Sequence, residues 1–352
     1  MMESKKIELV KPEFIVGNEK RFFDFIGRLG DSDKIAVISH VADVDGIISA
    51  KITNKVLDAD ILKFVDYSAL NMELVEELKD KKVNKIVITD LFIKNKEVVN
   101  ELEKFSEVLI IDHHSIENDY NSSNTVYLVA HGFCASYLVY YLFSKAVNLE
   151  EMDWLAVCAS IADWTYEKNR AWMKEVYNKY GEKFSESAEG IKKSKFWDLQ
   201  AILSLSILYF KSNVVKVYEK IGEQFGDLKD LKLYAVPVQR EIDSLVEKFD
   251  VEKIEIKEGY FYEVEARYSV TSIISNIISS RMQDKTIIIG ESKYPFYKLS
   301  LRRQDGKSDM NKFAKKLIEG FEKSDGGGHF KASGATILSK DARILKERIK
   351  DL

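Results

Sequence analysis

The first half of the chain alternates short apolar runs with longer amphipathic segments. Four of the runs are rich in β-branched residues and predict buried strands: KIAVISH (34–40), DILKFVDY (60–67), KIVITDL (85–91) and EVLIIDHH (107–114). Helical patterns lie between them, for example over residues 46–59 and 68–82. Such alternation predicts an α/β fold, with a parallel sheet that is covered by helices on both faces.

The remainder of the chain divides into a helical stretch and a second α/β region. Residues 134–147 and 152–165 predict two apolar helices, and residues 166–250 have a helical pattern without a clear strand. Strand patterns return within 254–268, 286–290, 297–303 and 332–338, and they alternate with predicted helices at 271–282 and 309–323. We therefore predict a first domain over residues 1–170, a helical connector over 171–250 and a smaller α/β domain over 251–352.

Size and composition agree with a globular protein of two domains. The chain has 352 residues, and no apolar run reaches the roughly 20 residues that a membrane-spanning helix needs. Its two cysteines, Cys134 and Cys158, lie in apolar surroundings. We expect buried free thiols, a cytoplasmic location and no association with a membrane.

Charge is unevenly distributed along the chain. The net charge is −4, but residues 256–352 contain 19 Lys and Arg against 13 Asp and Glu, which leaves −10 for the rest. A protein that follows a long nucleic acid usually has a basic surface, so the acidic balance argues against that class. An acidic first part could hold metal ions, and a basic last part could bind phosphate.

Acidic residues and histidines follow three of the four predicted strands. His40, Asp43 and Asp45 come at and after the first strand, Asp90 ends the third, and Asp112, His113 and His114 end the fourth. Ligand sites of open parallel sheets lie just beyond the carboxyl ends of the strands. A further acid, Asp163, lies in the apolar helical segment ASIADW.

A cluster of buried carboxylates needs compensation. Carboxylates beside apolar strands are costly to bury, and several in one crevice repel one another. Divalent cations remove both costs, and a mixed Asp/His ligand set without thiolates favours Mn²⁺, with Mg²⁺, Co²⁺, iron or zinc as alternatives. Three of the chain's five histidines fall at strand ends beside carboxylates, which strengthens the metal hypothesis.

The second domain contains two motifs that suit a phosphate or a nucleobase. In SDGGGHFKASGA (324–335), Gly326, Gly327 and Gly328 permit close backbone approach to a ligand, although a flexible turn is the alternative. In SLRR (300–303), a strand ends in two arginines that could bind phosphate, or that simply face solvent.

Taken together, the motifs DVDG, a strand-end Asp, DHH, a later helical Asp and a distant GGGH resemble the DHH phosphoesterase superfamily. The chain is most similar to the branch with the DHH-associated C-terminal domain, which includes RecJ-like nucleases, nanoRNases and cyclic dinucleotide phosphodiesterases. The resemblance covers residues 20–340 and implies an active site in the cleft between the two domains.

The resemblance also implies roles for individual residues. One metal ion would be held by His40, Asp43 and Asp90, and a second by Asp45, Asp90, His113 and Asp163. His114 would contact the scissile phosphate or protonate the leaving oxygen, and Asp112 would orient the histidine pair. Arg302, His329, Asn311 and the three glycines Gly326, Gly327 and Gly328 would bind the nucleotide.

The chain departs from the family pattern at two places, one beside the metal-ligand motif and one beside GGGH. His40 precedes Asp43 by three residues, where nanoRNase-like members usually have four. Phe330 follows GGGH at a position where the family favours proline.

The implied function is a phosphodiesterase with two Mn²⁺ ions that cuts short single-stranded oligonucleotides, or linear or cyclic dinucleotides, to mononucleotides. The alternatives are a RecJ-like exonuclease specific for single strands and a 3′-phosphoadenosine 5′-phosphate phosphatase. A non-catalytic scaffold that has lost its metals is disfavoured, because all the ligand positions keep their side chains. A homodimer is compatible with the family.

Overall fold

A computed structural model describes residues 7–211 and 213–350. The chain forms two compact units, Met1–Ala235 and Val236–Leu352. Each unit is built on one β-sheet, which confirms the predicted α/β class.

The first unit contains a five-stranded sheet that is parallel throughout. Its strands are β1 (Ile35–His40), β2 (Ile61–Val65), β3 (Lys85–Thr89), β4 (Glu107–Asp112) and β5 (Thr125–Val129), in the order β2-β1-β3-β4-β5. The four predicted strands are β1 to β4, whereas β5 was not predicted. Strands β3, β4 and β5 are almost wholly buried, as expected for a parallel sheet covered on both faces.

Helices cover the first sheet and extend the unit. They are α1 (Glu19–Ile26), α2 (Val44–Leu57), α3 (Met72–Asp80), α4 (Lys96–Leu102), α5 (Ala135–Phe143), α6 (Asp153–Ala162), α7 (Arg170–Lys179), α8 (Ala188–Ile191), α9 (Lys195–Phe210) and α10 (Val215–Tyr218). All nine residues of α5 are buried, because a helix that is apolar on every side has to be surrounded by protein.

The helices beyond α6 share the core of the first unit. Trp172 of α7, Phe196 and Leu203 of α9 and Val217 of α10 belong to the same buried apolar cluster as α2, α5 and α6. Residues 171–250 were predicted as a separate helical connector, whereas residues 171–235 of this stretch lie in the first compact unit. The boundary between the units falls inside α11 (Leu231–Glu252).

The second unit contains a six-stranded mixed sheet. Its strands are β6 (Ile254–Ile256), β7 (Gly259–Val264), β8 (Thr286–Lys293), β9 (Phe296–Arg302), β10 (Asp325–His329) and β11 (Ala332–Leu338), in the order β10-β11-β9-β8-β7-β6. Only β7 and β8 pair in parallel among them. The helices are α12 (Thr271–Arg281), α13 (Met310–Ile318) and α14 (Ala342–Lys350).

The structure also describes the two cysteines and the length of the helices. Cys134 and Cys158 are buried free thiols, as predicted. Within residues 7–211 and 213–350, no helix has the length and apolar character that crossing a bilayer requires.

Candidate metal centre

The sheet order of the first unit fixes where its crevice lies. In a doubly wound sheet of order 2-1-3-4-5, the connections leave in opposite directions at β1 and β3, so a crevice opens beyond their carboxyl ends. His40 is the last residue of β1, Asp90 directly follows β3, and Asp112 is the last residue of β4. The sequence motifs therefore meet at one edge of the sheet.

The start of α2 brings Asp43 against His40. Asp43 is the N-cap of α2, and its Oδ1 accepts from the backbone N–H of Gly46 (2.9 Å), while its Oδ2 lies 2.8 Å from His40 Nδ1. A Cβ on Gly46 would overlap the carbonyl oxygen of His40. Glycine is therefore required here because the first turn of α2 lies directly on the end of β1.

Asp90 occupies the centre of the cluster. It is only 2% exposed, and its φ of +55° lies in the left-handed region, which aspartate tolerates better than most residues. Its Oδ1 lies 3.2 Å from His113 Nε2, and its Oδ2 lies 3.8 Å from His40 Nδ1. No hydrogen bond satisfies this buried Oδ2 among the described residues. Such an oxygen fits a metal ligand, because a cation would compensate it.

Asp45 is held by the N-terminus of α5. The backbone N–H groups of Ala135 and Ser136 donate to its two carboxylate oxygens at 2.7 Å each, and the Ser136 hydroxyl donates to its carbonyl oxygen (2.9 Å). The carboxylate therefore lies at the positive end of the α5 dipole. This contact fixes the orientation of Asp45, whose Oδ2 lies 3.7 Å from His113 Nε2.

Asp112 organises the two histidines that follow it. Its Oδ1 accepts from the backbone N–H of His113 (2.8 Å) and from Nδ1 of His114 (2.7 Å). Burial raises the pKa of Asp112, but hydrogen bonding and the positive charge of His114 outweigh it, so the net pKa is lowered. Burial likewise lowers the pKa of His114, but the hydrogen bond to Asp112 outweighs it, so the net pKa is raised.

Three groups of ligand atoms result, and the chosen ligand atoms of each group lie within 4.8 Å of one another. His40, Asp43 and Asp90 form the first group, and Asp45, His113 and Asp163 form the second. The third group, Asp90, Asp112, His113 and His114, shares Asp90 with the first and His113 with the second. His113 joins the groups, since its Nδ1 lies 3.6 Å from Asp163 and its Nε2 lies 3.2 Å from Asp90.

The charges within the cluster agree with a site for cations. Burial, with the carboxylates of Asp45 and Asp43, raises the pKa of Asp90 well above its usual value. Burial and the same two carboxylates raise the pKa of Asp163 to about 8. Oxygen and imidazole ligands without thiolate suit Mn²⁺ or Mg²⁺, so the residues of the cluster fit the divalent cations that the resemblance implies.

The residues predicted to bind nucleotide lie in the second unit. GGGH lies in the edge strand β10, which pairs with β11 in a tight hairpin. The sequence had predicted either a ligand-binding segment or a flexible turn here, and not a strand. Sheet register places Arg302 opposite Ala332, which in turn lies opposite His329. Asn311, at the start of α13, has a buried Oδ1 that finds no hydrogen-bond partner in residues 7–211 and 213–350.

Part of the first unit matches a known protein family. Residues 34–165 match the DHH family, N-terminal domain. The match covers 132 of the 352 residues, and this stretch is called the DHH domain. The matched range runs from the residue before β1 to just beyond Asp163, so the DHH domain contains every candidate metal ligand.

Solved structures resemble the chain over most of its length. An exonuclease RecJ bound to manganese has a TM-score of 0.67 at 17% identity, covering 97% of this chain and 95% of that one. RecJ from Thermus thermophilus in complex with Mn²⁺ has a TM-score of 0.60 at 16% identity, covering 98% of this chain and 55% of that one.

The pGpG-specific phosphodiesterase PggH from Vibrio cholerae has a TM-score of 0.53 at 14% identity, covering 90% of this chain and 97% of that one. At these identities the likeness concerns the fold. No curated protein sequence gives a significant match.

One residue beside the DHH cluster was not identified from the sequence. The Tyr67 hydroxyl lies 3.3 Å from His114 Nε2, and its ring stacks on His40 with centroids 4.6 Å apart. The sequence signal that could have identified Tyr67 is its position at the end of the predicted strand 60–67. Its neighbour Asp66 lies in the turn that follows, where its Oδ1 accepts hydrogen bonds from the backbone N–H groups of Ser68 and Ala69.

A buried hydroxyl network lies beneath the cluster and was also not predicted. Ser39 of β1, Ser49 of α2 and Thr89 of β3 are fully buried and hydrogen-bond to one another at 2.9–3.2 Å. The Ser39 hydroxyl also donates to the Gly46 carbonyl (2.6 Å). These bonds tie together the three elements that present His40, Asp43, Asp45 and Asp90.

Proposed function

We propose that the protein is a metal-dependent phosphodiesterase that hydrolyses short single-stranded oligonucleotides or dinucleotides, linear or cyclic, to mononucleotides. The observation that carries this proposal is the set of adjoining ligand groups around Asp90, whose buried Oδ2 has no hydrogen-bond partner among the described residues. Convergence of the acids also argues against a non-catalytic scaffold, because an array of buried like charges is costly unless it serves a purpose.

The DHH domain would hold two divalent cations, with Mn²⁺ favoured and Mg²⁺ or Co²⁺ as alternatives. His40, Asp43 and Asp90 would bind one, and Asp45, Asp90, His113 and Asp163 the other. When bound, such a pair would supply a hydroxide at neutral pH and neutralise the charge of the phosphate. The first set and Asp45, His113 and Asp163 of the second set correspond to groups of neighbouring ligand atoms, and Asp90 adjoins the second through His113, 3.2 Å away.

His114 is the residue best suited to move a proton. Asp112 accepts from its Nδ1, which leaves Nε2 on the opposite side of the ring, and this hydrogen bond raises the pKa of the imidazole and so favours its protonated form. In our proposal Nε2 donates its proton to the leaving oxygen. Asp112 then acts by fixing the ring and stabilising its charged form.

The second unit would bind the rest of the nucleotide. Arg302 is a cation at the end of β9, and its side chain lies against Ser275 (3.2 Å) and Asn276 (3.3 Å) of α12. His329 and Gly326–Gly328 lie on an edge strand, and no described residue forms a hydrogen bond with the Asn311 Oδ1. These groups suit a phosphate and a base edge.

A short substrate is favoured by the charge of the chain. The net charge of −4 opposes a long polyanion, whose binding depends on many basic contacts. PggH, a protein of similar fold, is described as a pGpG-specific phosphodiesterase, and pGpG is a linear dinucleotide.

A RecJ-like exonuclease that degrades longer single strands is the second candidate. The similarity to manganese-bound exonuclease RecJ over 97% of the chain favours it. A 3′-phosphoadenosine 5′-phosphate phosphatase is a third candidate of the same chemical class.

Product analysis with Mn²⁺ tests the proposal. The panel holds a 5′-labelled dinucleotide, a single strand of about 24 nucleotides, a cyclic dinucleotide and 3′-phosphoadenosine 5′-phosphate, with Asp90→Ala as the control. We expect faster turnover of dinucleotides than of the long strand, and none by the variant. Processive degradation of the long strand would support the RecJ-like alternative, and no turnover with any divalent metal would refute the enzyme.

A further inference from the structure

An exposed tryptophan directly follows one of the candidate metal ligands. Trp164 comes after Asp163 at the end of α6 and is 46% exposed. Its φ of +54° lies in the left-handed region, where a bulky side chain is a genuine outlier. Strained residues of this kind persist only where the surrounding structure holds them, and they concentrate at functional sites.

Trp164 is part of a cluster of three aromatic rings within the first unit. Its ring centroid lies 5.8 Å from Trp197, at an interplanar angle of 60°, and 6.0 Å from Tyr166, at 48°. Tyr166 is buried and Trp197, in the first turn of α9, is partly buried. Tyr166 and Trp197 therefore form the more buried side of the cluster, and Trp164 is exposed to solvent.

A lysine lies over the two tryptophans. Lys192 Nζ lies 5.7 Å from the centroid of Trp164 and 5.8 Å from that of Trp197, within the range of a cation–π interaction. Lys192 is exposed, and it belongs to the basic segment IKKSKFW (191–197). Aromatic rings interleaved with lysines are the combination that single-stranded nucleic acids recognise, because bases stack on the rings and phosphates attract the cations.

We propose that Trp164, with Trp197 and Lys192, forms a base-stacking subsite for the nucleotide whose phosphate is cleaved. The inference rests on the proposed function, since Asp163 would place that phosphate beside Trp164. The nucleobase stacks on the exposed indole, and Lys192 faces the neighbouring phosphate. Because every base has a π-face, the subsite accepts all four bases and favours the larger purines.

Steady-state kinetics with a matched substrate pair tests the stacking role. The pair is a purine dinucleotide and the same molecule without its two bases. For Trp164→Ala we expect the KM of the dinucleotide to rise about tenfold, the size of effect that losing one stacked base produces. The kcat should change little, and the KM of the base-free molecule should stay within about twofold.

Trp164→Phe is the conservative control, because it keeps a ring at the same backbone position. It should restore most of the dinucleotide affinity. An unchanged KM in Trp164→Ala, or an equal loss on both substrates, would refute the stacking role, since a merely structural defect affects both alike.

A second control separates Lys192 from general surface charge. Lys192→Ala should raise the dinucleotide KM by about threefold or more, and Lys193→Ala, its exposed neighbour, by less than about twofold. Equal effects of the two variants would remove Lys192 from the subsite.

A binding measurement distinguishes failure of this inference from failure of the proposed function. Adenosine 5′-monophosphate is titrated into the full chain without divalent metal, and tryptophan fluorescence is recorded. Quenching that is lost in Trp164→Phe supports the subsite even if no substrate is hydrolysed. If wild-type fluorescence is unaffected, or is quenched equally in the variant, the subsite is refuted whatever the enzyme hydrolyses.

Discussion

The metal cluster of the DHH domain is buried, whereas the GGGH strand of the second unit lies open. Asp45, Asp90 and Asp112 are 3%, 2% and 1% exposed, and helix N-termini and histidines hold them in place. Strand β10 is mostly exposed and forms the edge of its sheet. Burying carboxylates costs free energy that hydrogen bonds and cations have to offset, while an exposed glycine strand presents backbone groups at little cost.

This difference implies two kinds of mutational response. Substitutions in the cluster should reduce activity and at the same time change the stability of the metal-free protein. Substitutions in the edge strand and at Arg302 should change substrate binding and leave the chemical step nearly intact. The predictions below test that contrast, beginning with the largest effect.

Replacing the central carboxylate should have the largest effect. Asp90→Asn should lower kcat/KM by about a thousandfold, because the shared ligand is lost. In EDTA the variant should nevertheless melt at a higher temperature than the wild type, since burial raises the pKa of Asp90 and this carboxyl therefore costs folding free energy whether it ionises or holds its proton. Asp80→Asn, at an exposed position of the same domain, should change neither property. A variant that is less stable than the wild type in EDTA would contradict the view that Asp90 is destabilising without metal.

The glycine that lets α2 lie on β1 should be nearly as important. In Gly46→Ala the added Cβ would overlap the His40 carbonyl, so α2 has to move and take Asp43 and Asp45 with it. We expect a loss of about 1–3 kcal/mol in the free energy of unfolding and an activity loss of about a hundredfold. Gly30→Ala is the matched control, because a Cβ there meets nothing within 4 Å. Urea unfolding and steady-state kinetics measure these two effects. A free energy of unfolding and an activity of Gly46→Ala that equal those of the wild type would contradict this account.

The metal-free protein should lose stability as the pH rises. The folded-state pKa of Asp163 is about 8, above the ordinary value of 3.8, so the folded protein binds more protons than the unfolded chain between these pH values. Stability from this group is therefore full below about pH 4 and is lost as the pH approaches 8. Thermal melting in EDTA from pH 5 to 8 measures it, with Asp163→Asn as the control. The trend should weaken in that variant, and an identical trend would assign it to other groups.

Loss of the arginine in the second unit should affect binding alone. Arg302→Ala should raise KM by about tenfold and leave kcat nearly unchanged, because a charged hydrogen bond to phosphate is removed. Arg343→Ala, on an exposed part of α14, serves as the control and should have no effect. A fall in kcat that equals the rise in KM would place Arg302 in the chemical step and weaken the contrast between the two regions.

Two neighbouring glycines provide the finest test. A Cβ on Gly327 meets only the Asn311 Oδ1, at 4.0 Å, so Gly327→Ala should leave the melting temperature unchanged. It should still raise KM by about threefold if a ligand approaches this backbone. Gly328 has φ +148°, and its Cβ would overlap the Ala332 carbonyl, so Gly328→Ala should lower the melting temperature. If Gly327→Ala leaves KM unchanged, the glycines serve the hairpin and not a ligand.

The sequence predicts those parts of the fold and site that depend on local pattern. Strands β1, β3 and β4 are continuous apolar runs, and their ends can be read directly, which is why His40, Asp90 and Asp112 were placed at one edge of the sheet. GGGH was not predicted as a strand, because glycine has a low β propensity and β10 forms through pairing with β11.

Contacts between distant segments could not be predicted in this way. The hydrogen bond from the Ala135 N–H, at the start of α5, to Asp45 joins residues 90 positions apart. Nothing in the sequence around Ser136 indicates that its N–H also donates to Asp45. The contact of Tyr67 with His114 likewise depends on the strand order, which the pattern of apolar runs does not specify.

The stoichiometry of bound Mn²⁺ tests the proposed two-metal centre most directly. Equilibrium dialysis of the wild type against Mn²⁺ should give two ions per chain, and Asp90→Asn should lose tight binding of both, because this carboxylate lies between the two ligand groups. Two ions bound equally well by the variant, or a fully active wild type with a single ion, would contradict the account.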